Sequence, residues 1–253
     1  RNMRKGKTKS YQETQLLSSR LLAEDEKRKE KKKTRTSRKR RAGVILAGGE
    51  SRRFGTPKAF AQYDGSYFYE QAIKAVAPYV EDLILVSHPT LTNRFKNQSL
   101  FHVVEDVDDY KGKGPLAGIY TAMNQVKADW YVIMPCDMPL IDKEMISKLL
   151  SNVDASFDAI VPSVAGKIQP LCALYQQTSL PYLEQQLKKR EYRMMDFLQM
   201  IKVKWLTEEE VGGAVHCFQN INTADAYAQL VHEKPFDKGN SGRLSKAPER
   251  RDK

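Results

Sequence analysis

The sequence predicts an α/β fold of three layers, one sheet with helices on both faces, and three observations carry that reading. Short unbroken apolar runs of strand length recur along the chain, the pattern of strands buried on both faces. Segments with apolar residues at helical spacing alternate with those runs. Glycine, serine and acidic residues follow the runs directly, which puts polar chemistry at the carboxyl ends of strands, where α/β sheets hold their ligands.

Taken in order, residues 44–46 (Val44, Ile45, Leu46) form the first strand, and Ala47, Gly48 and Gly49 remove side-chain bulk at its end. After a turn at Gly65 and Ser66, residues 67–79 carry Phe68, Ala72, Ile73 and Val76 at helical spacing. Strands follow at 83–86 and 101–104, ending before Ser87 and before Glu105 and Asp106. A helix over 116–126 leads to a fourth strand at 130–134, which ends in Pro135, Cys136, Asp137, Met138 and Pro139. Asp142 is the expected cap of a helix running through Leu150. Beyond it, 159–162 and 169–175 read as strands joined by the turn Ala165, Gly166 and Lys167. A helix over 180–189, a strand at 203–206 and a last helix over 224–231 complete the fold. Four strand ends are thus expected to converge on one crevice, at Gly48 and Gly49, Ser87, Asp106 and Asp137.

The 253 residues carry a net charge of +11, which by itself suggests nucleic acid or an anionic surface as partner. The distribution argues otherwise. Residues 1–41 hold 17 Lys and Arg against 5 acids, so everything from Ala42 onward sums to −1. Such a block buries too little apolar surface to offset the entropy of ordering, so residues 1–41 are expected to be a disordered basic extension or a frayed, solvated helix. That extension is either an arm for a polyanion or a segment without a role. It lacks the apolar core of a signal peptide or a membrane span. Residues 42–232 form the expected domain and 233–253 a polar tail. Cys136, Cys172 and Cys217 are scattered and form no C-x-x-C pair, which fits reduced, buried thiols in a cytoplasmic protein.

The stretch 44–58 carries the strongest chemical signal. A Gly-Gly after an apolar run can simply be a tight turn, and neither the P-loop ending nor G-x-G-x-x-G is present. Yet small residues at a strand end, followed by Arg52, Arg53 and Lys58, describe a polyphosphate site, with backbone N–H groups free to approach an anion. Asp137 is a second candidate. An acid after a strand often only forms a turn, but Pro139 fixes the chain just beyond this one, and a hard carboxylate suits Mg²⁺ that also binds phosphate oxygens.

The pattern L-A-G-G-x-S-x-R-x-G-x-x-K, at Leu46, Ala47, Gly48, Gly49, Ser51, Arg53, Gly55 and Lys58, resembles the signature loop of nucleotidyltransferases with a Rossmann-like sheet. Its double glycine is similar to that of the molybdenum cofactor guanylyltransferase family. The segment CDMPLI, the string Gly114, Pro115, Leu116, Ala117 and Gly118, and F-x-N-x-N-T at Phe218, Asn220, Asn222 and Thr223 resemble further motifs of that family.

The resemblance implies transfer of GMP from GTP to the phosphate of molybdenum-molybdopterin, giving molybdopterin guanine dinucleotide and pyrophosphate. It implies Mg²⁺ on Asp137 and catalytic roles for Lys58, Arg53 and Asp137. GTP would be held by Leu46, Ala47, Gly48, Gly49, Lys58, Asp106 and Asp137, and the acceptor by Gly118, Arg193, Asn220 and Asn222. Other proteins of molybdenum cofactor biosynthesis are implied partners; a membrane is not, nor nucleic acid except through the basic arm. Ser87 departs from relatives that carry asparagine at that strand end and is given no role. Two alternatives stand beside this reading: a cytidylyl- or sugar-phosphate nucleotidyltransferase of the same fold, and a polyanion-binding protein that works through the arm.

Overall fold

A computed structural model describes residues 39–49, 54–95, 99–213 and 215–232. The expectations for residues 1–38, for Ser51, Arg52 and Arg53, and for 233–253 lie outside those residues.

The first strand, β1 (Arg41–Ala47), is the middle of an eight-stranded sheet. Two hairpin strands, β2 (Gln62–Tyr63) and β3 (Ser66–Tyr67), pair with each other around a turn at Asp64 and Gly65. Next come helix α1 (Phe68–Val76), β4 (Asp82–Ser87), β5 (His102–Glu105), α2 (Pro115–Gln125), β6 (Trp130–Pro135) and α3 (Lys143–Ser151). The second half holds β7 (Ala159–Val164), β8 (Lys167–Ile168), β9 (Ala173–Gln176), α4 (Leu180–Lys188), α5 (Met194–Gln199), β10 (Val203–Leu206) and α6 (Ala224–His232). The sheet order is β10-β7-β9-β6-β1-β4-β5, with β8 attached to β7. β1 pairs in parallel with both β4 and β6. The chain therefore moves outward from β1 through β4 to β5 and then returns to the other side of β1 as β6. That reversal opens a crevice at the carboxyl ends of β1 and its neighbours.

Alternation along the strands separates two cores. Ile45, Leu85, Val132 and Met134 face α1 and α3, packing with Tyr69, Val76, Ile146 and Leu149. Val44, Ile84, Tyr131 and Ile133 face the other way, toward Leu116 and Ile119 of α2, Leu183 of α4 and Phe197 of α5. Three layers result, as expected. Gly43 is required by close approach: a Cβ there would lie 2.6 Å from Leu83 Cδ1 and from Val76 Cγ1, so any larger residue would lift α1 off the sheet. Asp142 caps α3, its carboxylate accepting from Met145 N at 3.0 Å.

The sheet is mixed, because β9 runs antiparallel to both β6 and β7; the connection from β7 is too short for a helical crossover. One expectation is corrected. Residues 169–175 are not one strand: Gln169 N donates to Pro162 O and Cys172 N to Gln169 O, turning the chain through Pro170 before β9 begins at Ala173. Arg40 and Arg41 are tied to the sheet. Arg40 N donates to Asp129 Oδ2 at 2.7 Å, its guanidinium meets Asp82 at 2.7 Å, and Arg41 N donates to Glu81 Oε2 at 2.7 Å. Acids at the amino-terminal ends of β4 and β6 hold Arg40 and Arg41.

These contacts set a sharp boundary for truncation. A chain beginning at residue 39 is expected to unfold at the temperature of the full chain. One beginning at residue 42 also loses the bonds that Arg40 O accepts from Asp129 N and Trp130 N. It should be less stable by about 2–3 kcal/mol, a drop of roughly 5–10 °C in melting temperature. Thermal unfolding of the two chains, followed by circular dichroism, is the check.

Among the described residues no helix is long and apolar enough to cross a membrane. Cys136, Cys172 and Cys217 are buried, and burial pushes the Cys136 and Cys172 thiols up to about 12. Those two are poor nucleophiles and serve as small apolar packing groups.

Candidate active site

The strand ends meet around a cavity of about 560 Å³. Leu46, Ala47, Gly48 and Gly49 enter it from β1, Asp106 from the end of β5 and Asp137 from the end of β6, and Lys58 lines it as well. All seven residues expected to hold the nucleotide therefore line one space. Gly114, Pro115 and Gly118 bring the amino terminus of α2 to the same wall. The N–H groups of its first turn and its dipole favour an anion there.

Gly118 is where that helix can close on the sheet. A Cβ at this position would sit 3.1 Å from Leu46 Cδ2, 3.3 Å from Val86 Cγ1 and 3.6 Å from Asp106 Oδ1. It shapes the wall beside Asp106, with no side chain of its own to offer. The Asp106 carboxylate accepts from Gly112 N at 3.2 Å. Burial pushes its pKa up from the ordinary aspartate value, and the Gly112 bond and the charges of His88 and Lys111 counter part of that effect.

The centre of the site is a three-residue contact. Lys58 Nζ donates to Asp137 Oδ2 at 2.7 Å and to Asn222 Oδ1 at 2.7 Å. The Lys58 and Asp137 side chains are only 16% and 18% exposed. This differs from the exposed cation that a phosphate loop suggests before ligand binds: Lys58 is the counter-ion of Asp137. The loop before α6 is pinned to the end of β6 by Ile221 N, which donates to Asp137 O at 2.9 Å. Capping and site roles are divided within this loop, since Thr223 Oγ1 accepts from Ala226 N at 3.2 Å while Asn222 turns to Lys58. Asn220 also lines the cavity.

Arg193 is not brought in. Its side chain is 82% exposed and lies 4.0 Å from Asp196 within its own helical turn. Arg53 lies outside the described residues. Ser87, given no role from the sequence, is buried and its hydroxyl donates to His88 O at 2.9 Å. His88 and Leu171, which sequence reasoning passed over, do line the cavity. The signal for His88 was its position directly after a strand; Leu171 had none, because it depends on the turn through Pro170.

A family profile described as MobA-like NTP transferase domain matches residues 43–204. The chain is 40% identical over 190 residues to a probable molybdenum cofactor guanylyltransferase of Geobacillus sp. (strain WCH70), covering 75% of this chain and 97% of that protein. A protein of the same description from Bacillus cereus (strain AH820) is 38% identical over 188 residues, covering 74% and 94%. Among solved structures, molybdopterin-guanine dinucleotide biosynthesis protein A from Archaeoglobus fulgidus superposes with a TM-score of 0.64 at 23% identity, over 75% of this chain and 96% of that one. The 4-diphosphocytidyl-2C-methyl-D-erythritol synthase of Anaerococcus prevotii reaches 0.61 at 11% identity, over 76% and 94%. These two structures speak to the fold alone, and the fold does not distinguish guanylyl from cytidylyl transfer.

Proposed function

The chain belongs to the MobA-like NTP transferase family and is a nucleotidyltransferase, and from that premise we propose that it transfers GMP from GTP to the phosphate of molybdenum-molybdopterin. The observation that carries this reading is the Lys58, Asp137 and Asn222 contact on one side of a cavity whose other walls are a glycine strand end and a helix amino terminus. That arrangement suits two anions brought end to end.

In the reaction, an oxygen of the acceptor phosphate attacks the α-phosphorus of GTP, the bond to the bridging oxygen breaks, and pyrophosphate leaves with the negative charge. Aligning the two anions and stabilising that charge are most of the task. The amides of Ala47, Gly48 and Gly49 and the Lys58 ammonium hold the triphosphate, with Arg53 from the same loop. Asp106 accepts from the base. Asn220 and Asn222 face the acceptor, with Gly118 giving it room; Arg193, exposed at the start of α5, would reach only an acceptor that extends out of the cavity.

Among the described residues no group of three or more His, Cys, Asp and Glu could hold a metal by itself. A single carboxylate, Asp137, fits a hard cation such as Mg²⁺ that fills its remaining positions with phosphate oxygens and water. When bound there, the ion supplies Lewis-acid stabilisation of phosphate charge. For Asp137 to serve it, Lys58 must turn from Asp137 toward the phosphates.

The expected result is pyrophosphate release with GTP only when molybdenum-molybdopterin is present, and little with CTP, ATP or UTP. Release driven by CTP, or by a sugar phosphate as acceptor, would overturn the reading.

A further inference from the structure

His88 lines the cavity but has no part in the transfer chemistry above. It stands one position beyond Ser87, as Asp106 stands one beyond Glu105, and Ser87 and Glu105 are partners in the parallel β4 and β5 ladder. The two residues therefore leave neighbouring strands at the same level and, by the alternation of side chains, toward the same layer as Val86 and Val104, which pack under α2.

The imidazole is oriented from behind. Thr90 N donates to His88 Nδ1 at 3.3 Å, and Thr90 Oγ1 lies 2.8 Å from the same nitrogen. A ring nitrogen that accepts a backbone N–H carries no proton in the neutral imidazole, so the proton is assigned to Nε2. No hydrogen bond is made by Nε2 among the described residues. One wall of the cavity thus offers a donor, His88 Nε2–H, beside an acceptor, the Asp106 carboxylate.

That pair has a chemical complement. Guanine presents the O6 acceptor beside the N1–H and 2-amino donors on one edge, whereas adenine and cytosine put an amino donor where guanine has O6. Resting on the guanylyl reading of this cavity, we propose that His88 is a specificity-determining residue, its Nε2–H donating to O6 of the guanine whose N1–H and 2-amino group face Asp106. The opposed polarity at that position then disfavours adenine and cytosine, because either would set one N–H against another.

The test compares kcat/KM of wild type, His88→Ala and His88→Gln with GTP, with ITP, which lacks only the 2-amino group, and with 6-thio-GTP, which replaces only O6. His88→Ala is expected to lose about ten- to thirtyfold with GTP and ITP, the effect of one lost hydrogen bond to the base, and to lose little with 6-thio-GTP. His88→Gln, which retains an N–H donor, should recover part of the activity and guards against a folding defect in the alanine variant. A wild type without preference for GTP over CTP and ATP would overturn both this inference and the guanylyl reading. A GTP-preferring wild type whose His88→Ala loss is equal for GTP and 6-thio-GTP would overturn this inference alone.

Discussion

Asp137→Asn is expected to lower nucleotidyl transfer about a thousandfold while the chain keeps its fold, because the amide preserves the shape of the carboxylate and removes the charge that would hold a divalent cation among phosphates. At ~1.4 kcal/mol for each factor of ten, this corresponds to about 4 kcal/mol of lost transition-state stabilisation. The fold is expected to survive. The amide oxygen of the variant would still accept from Lys58 Nζ, which in the native protein lies 2.7 Å from both Asp137 and Asn222. Asp137 O, which accepts from Ile221 N at 2.9 Å, belongs to the backbone and is untouched. If Asp137 were only a turn-forming acid, turnover would change little. Turnover against Mg²⁺ concentration for both proteins, with circular dichroism as the folding control, separates the two cases; near-normal turnover with the same Mg²⁺ dependence would remove Asp137 from the metal role.

Lys58→Ala is expected to reduce kcat/KM for GTP by about a hundredfold, the usual effect of deleting one preorganised donor to a charged transition state. Unlike a cation standing in solvent, Lys58 is 16% exposed and paired with an Asp137 that is 18% exposed. Removing it leaves a largely buried carboxylate without that counter-ion, so stability should also fall, by about 1–3 kcal/mol given the partial access of water. The double variant Lys58→Ala/Asp137→Asn should be more stable than the sum of the single losses predicts, since neither charge is then left alone. Thermal unfolding of the four proteins measures the coupling. Unchanged turnover of Lys58→Ala with GTP would exclude the phosphate role, and additive stabilities would exclude the ion pair.

The strands were legible because their apolar runs are local, and the ends of those runs because glycine, serine and acids follow them immediately. Alternating strands and helices then constrain the rest: parallel neighbours joined by crossovers must have their carboxyl ends on one side, so Gly48, Asp106 and Asp137 could be assigned to one crevice without knowing the strand order. The cap of α3 was equally plain, since Asp142 and the Met145 amide it serves are three residues apart. Contacts between distant segments could not be read in this way. Lys58 meets Asp137 across 79 positions of sequence and Asn222 across 164, and nothing near Lys58 signals that these groups will cover it. The exposure of a long charged side chain depends on which remote segment packs over its stem, which is why Lys58 is enclosed and Arg193 is left in solvent. The direction of β9 and the entry of Leu171 into the cavity likewise follow from a turn whose outcome depends on the sheet it rejoins. His88 shows the same division: its place after a strand was visible in the sequence, but its alignment with Asp106 arises only from the register of β4 on β5.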